Sequence, residues 1–267
     1  MKNNLKSAKS DNIKTKKVGL VLSGGGVKGV AHIGMIKALK EYEIEADFVS
    51  GTSVGALVGA LYANGSSIEQ MLAFFRETPL LKYNFFTFVK PGLMVTEKYH
   101  ELFKRHFQED SYEALKKKLY VTATNLQDGD QRLFSSGELV QTLLASAALP
   151  PVFGPVEING QLYGDGGIMN NFPVEVLMDK CDFIIGSNVS VIKHIPKKAI
   201  NSSLKLTNRV TSLMIYASNR QKLKFCDLIF EPEQLETFGI LDKKGIEQAF
   251  ELGYEHAIKV LAKKFKT

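Results

Sequence analysis

The sequence predicts an α/β three-layer sandwich with a largely parallel central sheet. Short runs rich in Val, Ile, Leu and Phe alternate along the chain with longer segments whose apolar residues recur at helical spacing. Such alternation is the pattern of strands joined by crossover helices, which lays the strands parallel and covers both faces of the sheet. At 267 residues, 45% of them hydrophobic, the chain can bury one sizeable core. No internal repeat or linker divides it, so the expected boundaries are a basic, disordered tail over residues 1–17 and one domain over residues 18–267.

The first strand candidate, Val18–Leu22, runs into Ser23-Gly24-Gly25-Gly26-Val27-Lys28-Gly29. Three glycines at a strand end leave a backbone clear of side chains. Its N–H groups can converge on an oxygen, either of a phosphate or of an acyl-transfer oxyanion. A helix over Val30–Glu41 follows from the spacing of Val30, Ile33, Met35, Ile36 and Leu39. Gly24, Gly26 and Gly29 also satisfy the dinucleotide fingerprint G-x-G-x-x-G, which wants an acidic residue ending the second strand about 20 residues on. Asp47 precedes the apolar pair Phe48-Val49 instead of following it, which ranks nicotinamide binding below acyl transfer. Walker A fails, because no Gly-Lys-Ser or Gly-Lys-Thr follows.

The second strand candidate, Asp47–Ser50, leads into Gly51-Thr52-Ser53-Val54-Gly55 and then a helix over Val54–Ala63. Strand, G-x-S-x-G, helix is the context of a nucleophile elbow. Its serine hydroxyl projects at a helix N-terminus, where free N–H groups and the dipole favour negative charge. A small-residue junction with an N-capping serine is the plainer reading of the pentapeptide alone. Helices over Ser67–Arg76 and Glu97–Phe107 bracket an aromatic segment from Tyr83 to Met94, which suits a lipid-facing cap and ordinary core equally.

Next come strands over Leu119–Thr124 and Arg132–Ser135, then a helix over Glu138–Ala147. A hairpin with arms at Val156 and Leu162 turns at Asn159-Gly160, a type I′ signal. It delivers Gly164-Asp165-Gly166-Gly167, so Asp165 stands where a strand runs out into a glycine loop. There it can present a carboxylate, or simply bond its own backbone as most Asp-Gly turns do. A strand over Phe183–Gly186, a helix over Leu204–Lys222, a strand over Asp227–Phe230 and a helix over Lys243–Lys264 complete the chain.

In this order, Gly-Gly-Gly-x-Lys-Gly, Gly-x-Ser-x-Gly and Asp-Gly-Gly resemble the patatin-like phospholipase family. Ala145-Ser146-Ala147-Ala148-Leu149-Pro150-Pro151-Val152-Phe153 and Ala31-His32-Ile33-Gly34 extend the resemblance, which runs from Val18 to the C-terminal helix. Each motif is weak alone, and the ordered set is specific. The resemblance implies the patatin-like (FabD/lysophospholipase-like) fold and a serine–aspartate dyad. In that dyad Ser53 is the nucleophile and Asp165 the base, with the amides of Gly24, Gly25 and Gly26 as oxyanion hole. Lys28, Gly29, Gly51, Gly55, Gly166 and Gly167 complete the motifs. The family commonly has Arg where this chain has Lys28, which keeps the charge and loses the bidentate fork. The implied reaction is hydrolysis of fatty-acyl esters of phospholipids or lysophospholipids, with no cofactor and no metal.

A triad would need a histidine base. Of His32, His100, His106, His194 and His256, only His194 follows a strand candidate, while His32 sits among small and apolar residues that favour packing. A serine-dependent acyltransferase using His194 is therefore one rival, and a non-catalytic lipid-binding regulatory protein is another. Cys181 and Cys226 make no disulfide framework, and no metal-binding motif is present. Residues 1–17 carry six lysines against Asp11, a net of +5 out of the chain's +6, so residues 18–267 net only +1. The folded body thus offers no basic stripe for nucleic acid, whereas the tail can lean on anionic lipid. No apolar run reaches the 18 or more residues of a span, and no signal-peptide h-region opens the chain. The expectation is a cytoplasmic protein whose partner is a lipid or acyl-ester substrate, with peripheral contact at the inner membrane surface as an option through the tail. Oligomeric state is not legible.

Overall fold

The computed structural model describes residues 13, 15–77, 100–149, 153–237 and 245–265. Most of the basic tail, the aromatic segment from Tyr83 to Met94, and Pro150-Pro151-Val152 lie outside the described residues. The described strands are β1 (Val18–Leu22), β2 (Phe48–Thr52), β3 (Lys118–Asn125), β4 (Gln131–Phe134), β5 (Val156–Ile158), β6 (Gln161–Asp165), β7 (Phe183–Ser187) and β8 (Leu228–Phe230). The helices are α1 (Val30–Glu41), α2 (Val54–Asn64), α3 (Ile68–Glu77), α4 (Leu139–Ser146), α5 (Ser203–Arg220) and α6 (Ile246–Phe265), and residues 100–104 are also helical.

All eight strands form one sheet in the order β5-β6-β3-β2-β1-β7-β8, with β4 paired to β3. The five strands β8-β7-β1-β2-β3 are parallel, and β4, β5 and β6 are antiparallel to their neighbours. Side chains alternate across the sheet with a period of two. Leu20, Leu22, Val49, Val121 and Ile185 enter the large core with residues of α1, α2, α3, α4 and α6. Val21, Tyr120 and Ile184 enter a second, smaller core. Burial on both faces is why β1 and β7 read as unbroken apolar runs. Among the described residues the second face is covered by Phe172, Val174 and Leu177 with short 3₁₀ turns.

From β1 the chain steps to β2 and β3 on one side, and β7 and β8 then extend the sheet on the other. Loops leaving the carboxyl ends of β1, β2 and β7 therefore gather at a topological switch point, the usual place for a ligand in an open α/β sheet. The antiparallel additions matter as much. Residues 121–124 of β3 pair with β4, while residues 118–122 pair with β2 and residues 123–125 with β6. A strand has two edges, and β4 overlaps both β2 and β6 in register, so β2 and β6 must share the opposite edge. Thr52, the last residue of β2, faces Thr122, and Asp165, the last of β6, faces Ala123. The two strands meet carboxyl end to carboxyl end.

Local chemistry fixes the supporting pieces. Ser67 opens α3 by a reciprocal cap, its Oγ accepting from the Gln70 N–H while Gln70 Oε1 accepts from the Ser67 N–H. Asn159 and Gly160 both take positive φ, 51° and 76°, as a type I′ turn demands. Asp110 Oδ1 accepts from the Leu139 and Val140 N–H groups, at 3.0 and 2.7 Å, and so caps α4 from a distant part of the chain. Asp110→Ala removes the acceptor for these two helix-start donors. It is expected to cost about 1 kcal/mol of unfolding free energy, read as a lower midpoint in urea at unchanged slope.

Candidate active site

Ser53 follows β2 directly and starts α2 with φ 54° and ψ −127°, a conformation that non-glycine residues rarely hold. Close packing around it leaves no alternative path. A Cβ on Gly55 would lie 2.3 Å from the Leu22 carbonyl oxygen, and one on Gly51 would lie 2.6 Å from that of Gly55. The start of α2 is thus pressed onto the ends of β1 and β2, and the serine absorbs the turn. Its backbone is held as well: the Ser53 N–H donates to Ser146 Oγ (2.9 Å), and Ser146 Oγ donates to the Thr122 carbonyl (2.6 Å). Ser146 lies in the Ala145–Phe153 stretch, where nothing local in the sequence gives it this task.

Asp165 is the counterpart. Its Oδ2 accepts from the Ser53 hydroxyl at 2.6 Å, and its Oδ1 accepts from the Gly167 N–H at 2.7 Å. The turn-aspartate bond and the presented carboxylate, alternatives in sequence, coexist on two oxygens. The residue is only 3% exposed. Burial pushes its carboxyl up to about 6, opposed by the Ser53 hydroxyl and the Gly167 amide. Its backbone is tied too, the N–H to Ala148 O and the carbonyl to Thr124 Oγ1, both at 2.9 Å.

The glycine loop packs against the serine, since a Cβ on Gly24 would lie 3.2 Å from Ser53 Cβ and 2.4 Å from Asn171 Oδ1. The Gly24 N–H donates to the Asn171 carbonyl at 3.3 Å, and the Gly24 carbonyl accepts from Ser190 Oγ at 2.8 Å. Of the three amides expected to converge on an oxyanion, that of Gly24 is therefore engaged in fastening the loop. Gly25 and Gly26 come next, at the start of the 3₁₀ turn Gly26–Gly29, with Gly26 left-handed at φ 60°. Lys28 lies in that turn, Gly29 backs onto Val54, and Gly166 and Gly167 form the turn after Asp165.

His32 lies beneath this loop, fully buried. Its Nε2 is 2.9 Å from the Ser23 carbonyl oxygen and its Nδ1 2.8 Å from Ser187 Oγ. A carbonyl only accepts, so Nε2 carries the proton and Nδ1 accepts from the Ser187 hydroxyl. Burial drives its pKa down to about 4 against the pull of the Ser23 carbonyl, so the ring is neutral and structural. The other histidines stand elsewhere. His194 is exposed, and His100 lies 3.1 Å from Asp110. His106 stacks edge-on against Phe74, and His256 Nε2 accepts from the Glu231 N–H. Asp47 Oδ2 accepts from the Val18 N–H at 2.8 Å. That places it at the amino end of β1, away from the glycine loop at the strand's carboxyl end. Among the described residues, no group of His, Cys, Asp and Glu could hold a metal ion.

The model of the patatin-like phospholipase family matches residues 20–178, more than half of the chain. A patatin-like phospholipase domain-containing protein of Caenorhabditis elegans is 32% identical over 175 residues, covering 60% of this chain and 12% of that protein. Lysophospholipase nte1 of Aspergillus fumigatus is 33% identical over 165 residues, covering 59% of this chain and 11% of that protein. The chain thus spans only a small part of the length of these curated relatives. Among solved structures, VipD from Legionella pneumophila matches with a TM-score of 0.54 at 17% identity, over 92% of this chain and 67% of that one.

The raised Asp165 pKa has a sign for stability. Between about 4 and 6 the folded protein binds a proton that the unfolded chain does not, so stability falls as pH rises through that window and is flat above it. Asp165→Asn, with no buried charge to form, should be more stable than wild type at pH 8, by on the order of 3 kcal/mol at most. The gap should close near pH 4 in urea unfolding.

Proposed function

We propose that this chain, which belongs to the patatin-like phospholipase family, is a lipid ester hydrolase working through Ser53 and Asp165. The observation that carries the reading is the 2.6 Å hydrogen bond from a serine hydroxyl on a strained strand–helix turn to a buried carboxylate. The hydroxyl has one proton, and it is directed at Asp165 and not at a histidine. The similarity to lysophospholipase nte1 supports fatty-acyl esters of phospholipids or lysophospholipids as substrates. The domain in this reading is residues 18–267, with residues 1–17 a basic tail.

Chemically, Asp165 takes the Ser53 proton as Oγ attacks the ester carbonyl. A carboxylate titrating near 6 is a stronger base than an ordinary one and is still ionised at neutral pH. The amides of Gly25 and Gly26 stabilise the tetrahedral oxyanion. The intermediate collapses, Asp165 returns the proton to the departing alcohol or lysolipid, and an acyl-serine remains. Water then attacks that ester, giving its proton to Asp165, which passes it to the departing Ser53 Oγ as the fatty acid is released.

A fluorophosphonate probe followed by peptide mapping tests the nucleophile, and the tag is expected on Ser53. Ser53→Ala should reduce hydrolysis of a soluble acyl ester to background in a folded protein, and Asp165→Asn should do the same. His194→Ala should leave turnover near wild type; its loss there, with Asp165→Asn active, would move the assignment to a histidine-dependent acyltransferase. The rate should fall below about pH 6 as one group protonates. Gly25→Ala brings a Cβ to 2.7 Å from Val189 Cγ2 and should lower kcat by about 10²–10³, the cost of one oxyanion donor.

A further inference from the structure

Helix α5 is turned inside out relative to an ordinary surface helix, which buries its apolar stripe. Leu206, Val210, Leu213 and Met214 follow one another at spacings of four, three and one, on one face, and each is between 43% and 68% exposed. The helix meets the body on the other side: buried Asn219 donates to Asn188 Oδ1 at 3.2 Å, and Ile215 and Tyr216 are half-buried. Ile200 just before the helix and Phe225 just after it are exposed as well.

The segment that carries this stripe has charge of one sign. Residues 183–226 hold six lysines and two arginines and no Asp or Glu. Since residues 18–267 net +1, the remainder of that body nets −7, so a near-neutral total hides a strong segregation. Lys222 is neutralised by Glu175 at 3.2 Å, and Lys193 lies 3.5 Å from Glu233. Lys197, Lys198, Lys205, Arg220 and Lys224 are exposed around the stripe. This surface also adjoins the site. Arg209 donates to the Lys193 carbonyl at 2.7 Å, and the loop leading there carries Ser190, whose Oγ holds the Gly24 carbonyl.

We infer that α5, with the loop before it, is a docking surface for an anionic lipid bilayer. Exposed apolar side chains flanked by cations match a surface that is negative outside and hydrocarbon within. Nucleic acid would engage the cations and leave the stripe in water. A second copy of the chain would bring the same cations face to face, a like-charge arrangement that costs affinity. The docked helix brings the loop fastened to Gly24 close to the membrane.

Co-sedimentation with vesicles of phosphatidylcholine alone, and of phosphatidylcholine mixed with phosphatidylglycerol, tests this without turnover. Its outcome is thereby separate from that of the hydrolase reading. The full chain should partition about tenfold or more in favour of the mixed vesicles. Lys197→Glu with Lys198→Glu should weaken that partition by about fivefold or more for each cation lost, and Leu213→Ser with Met214→Ser should weaken it comparably. Both variants should keep wild-type circular dichroism and hydrolysis of a soluble ester. Residues 1–17 are unchanged in both, so the losses report α5 and not the tail. Equal binding to neutral and mixed vesicles, or wild-type partition in both variants, would overturn the inference. So would an oligonucleotide complex insensitive to the Leu213 and Met214 changes in the absence of vesicle binding.

Discussion

Because β4 occupies one edge of β3, β2 and β6 have to divide the other, one arriving parallel and the other antiparallel. Their carboxyl ends then point at each other at adjacent positions of the same strand. Ser53 is the first residue past one end and Asp165 the last residue of the other, which is how a 2.6 Å bond forms between residues 112 apart in sequence. The same abutment excludes water from the carboxylate, raising its pKa, while the packing of α2 onto the ends of β1 and β2 sets the turn at Ser53. Proximity and burial at the site are two consequences of one sheet geometry, and the helix packed on its end adds the strain.

A buried carboxylate and a strained serine persist only where the surroundings hold them. Here the holding groups are polar and satisfied. Ser146 bridges the Ser53 amide to β3, Asn171 and Ser190 fasten both backbone groups of Gly24, and His32 ties the ends of β1 and β7 through Ser23 and Ser187. Each lies on a different element, so the site is braced from several directions. Such networks rigidify when every member has a partner, the condition for placing a hydroxyl and a carboxylate in one geometry.

Electrostatics separates by region in the same way. The acidic side chains of the body lie outside residues 183–226, and the cations of that segment surround the exposed stripe of α5. Net charge averages this away, and a helical pattern does not say which of its faces will be inward. A period near 3.6 fixes that the stripe is on one side of α5; only the packing of Asn219, Ile215 and Tyr216 against the body turns it outward.

The features legible along the chain are local ones. The order of strands and helices, the elbow at Ser53, the Asn159-Gly160 turn and the largely parallel sheet all follow from periodicity and turn chemistry, which act over a few residues. Both Ser53 and Asp165 were nameable from glycine-flanked positions at strand ends. Only the folded arrangement makes them touch, divides the two oxygens of Asp165 between Ser53 and Gly167, and sends the Gly24 amide to Asn171. It also makes His32 a neutral brace, and has Ser146 support the serine's backbone. These depend on which backbone groups become neighbours across strands, and strand pairing is set by burial summed over the whole sheet and by register, not by any short stretch of chain.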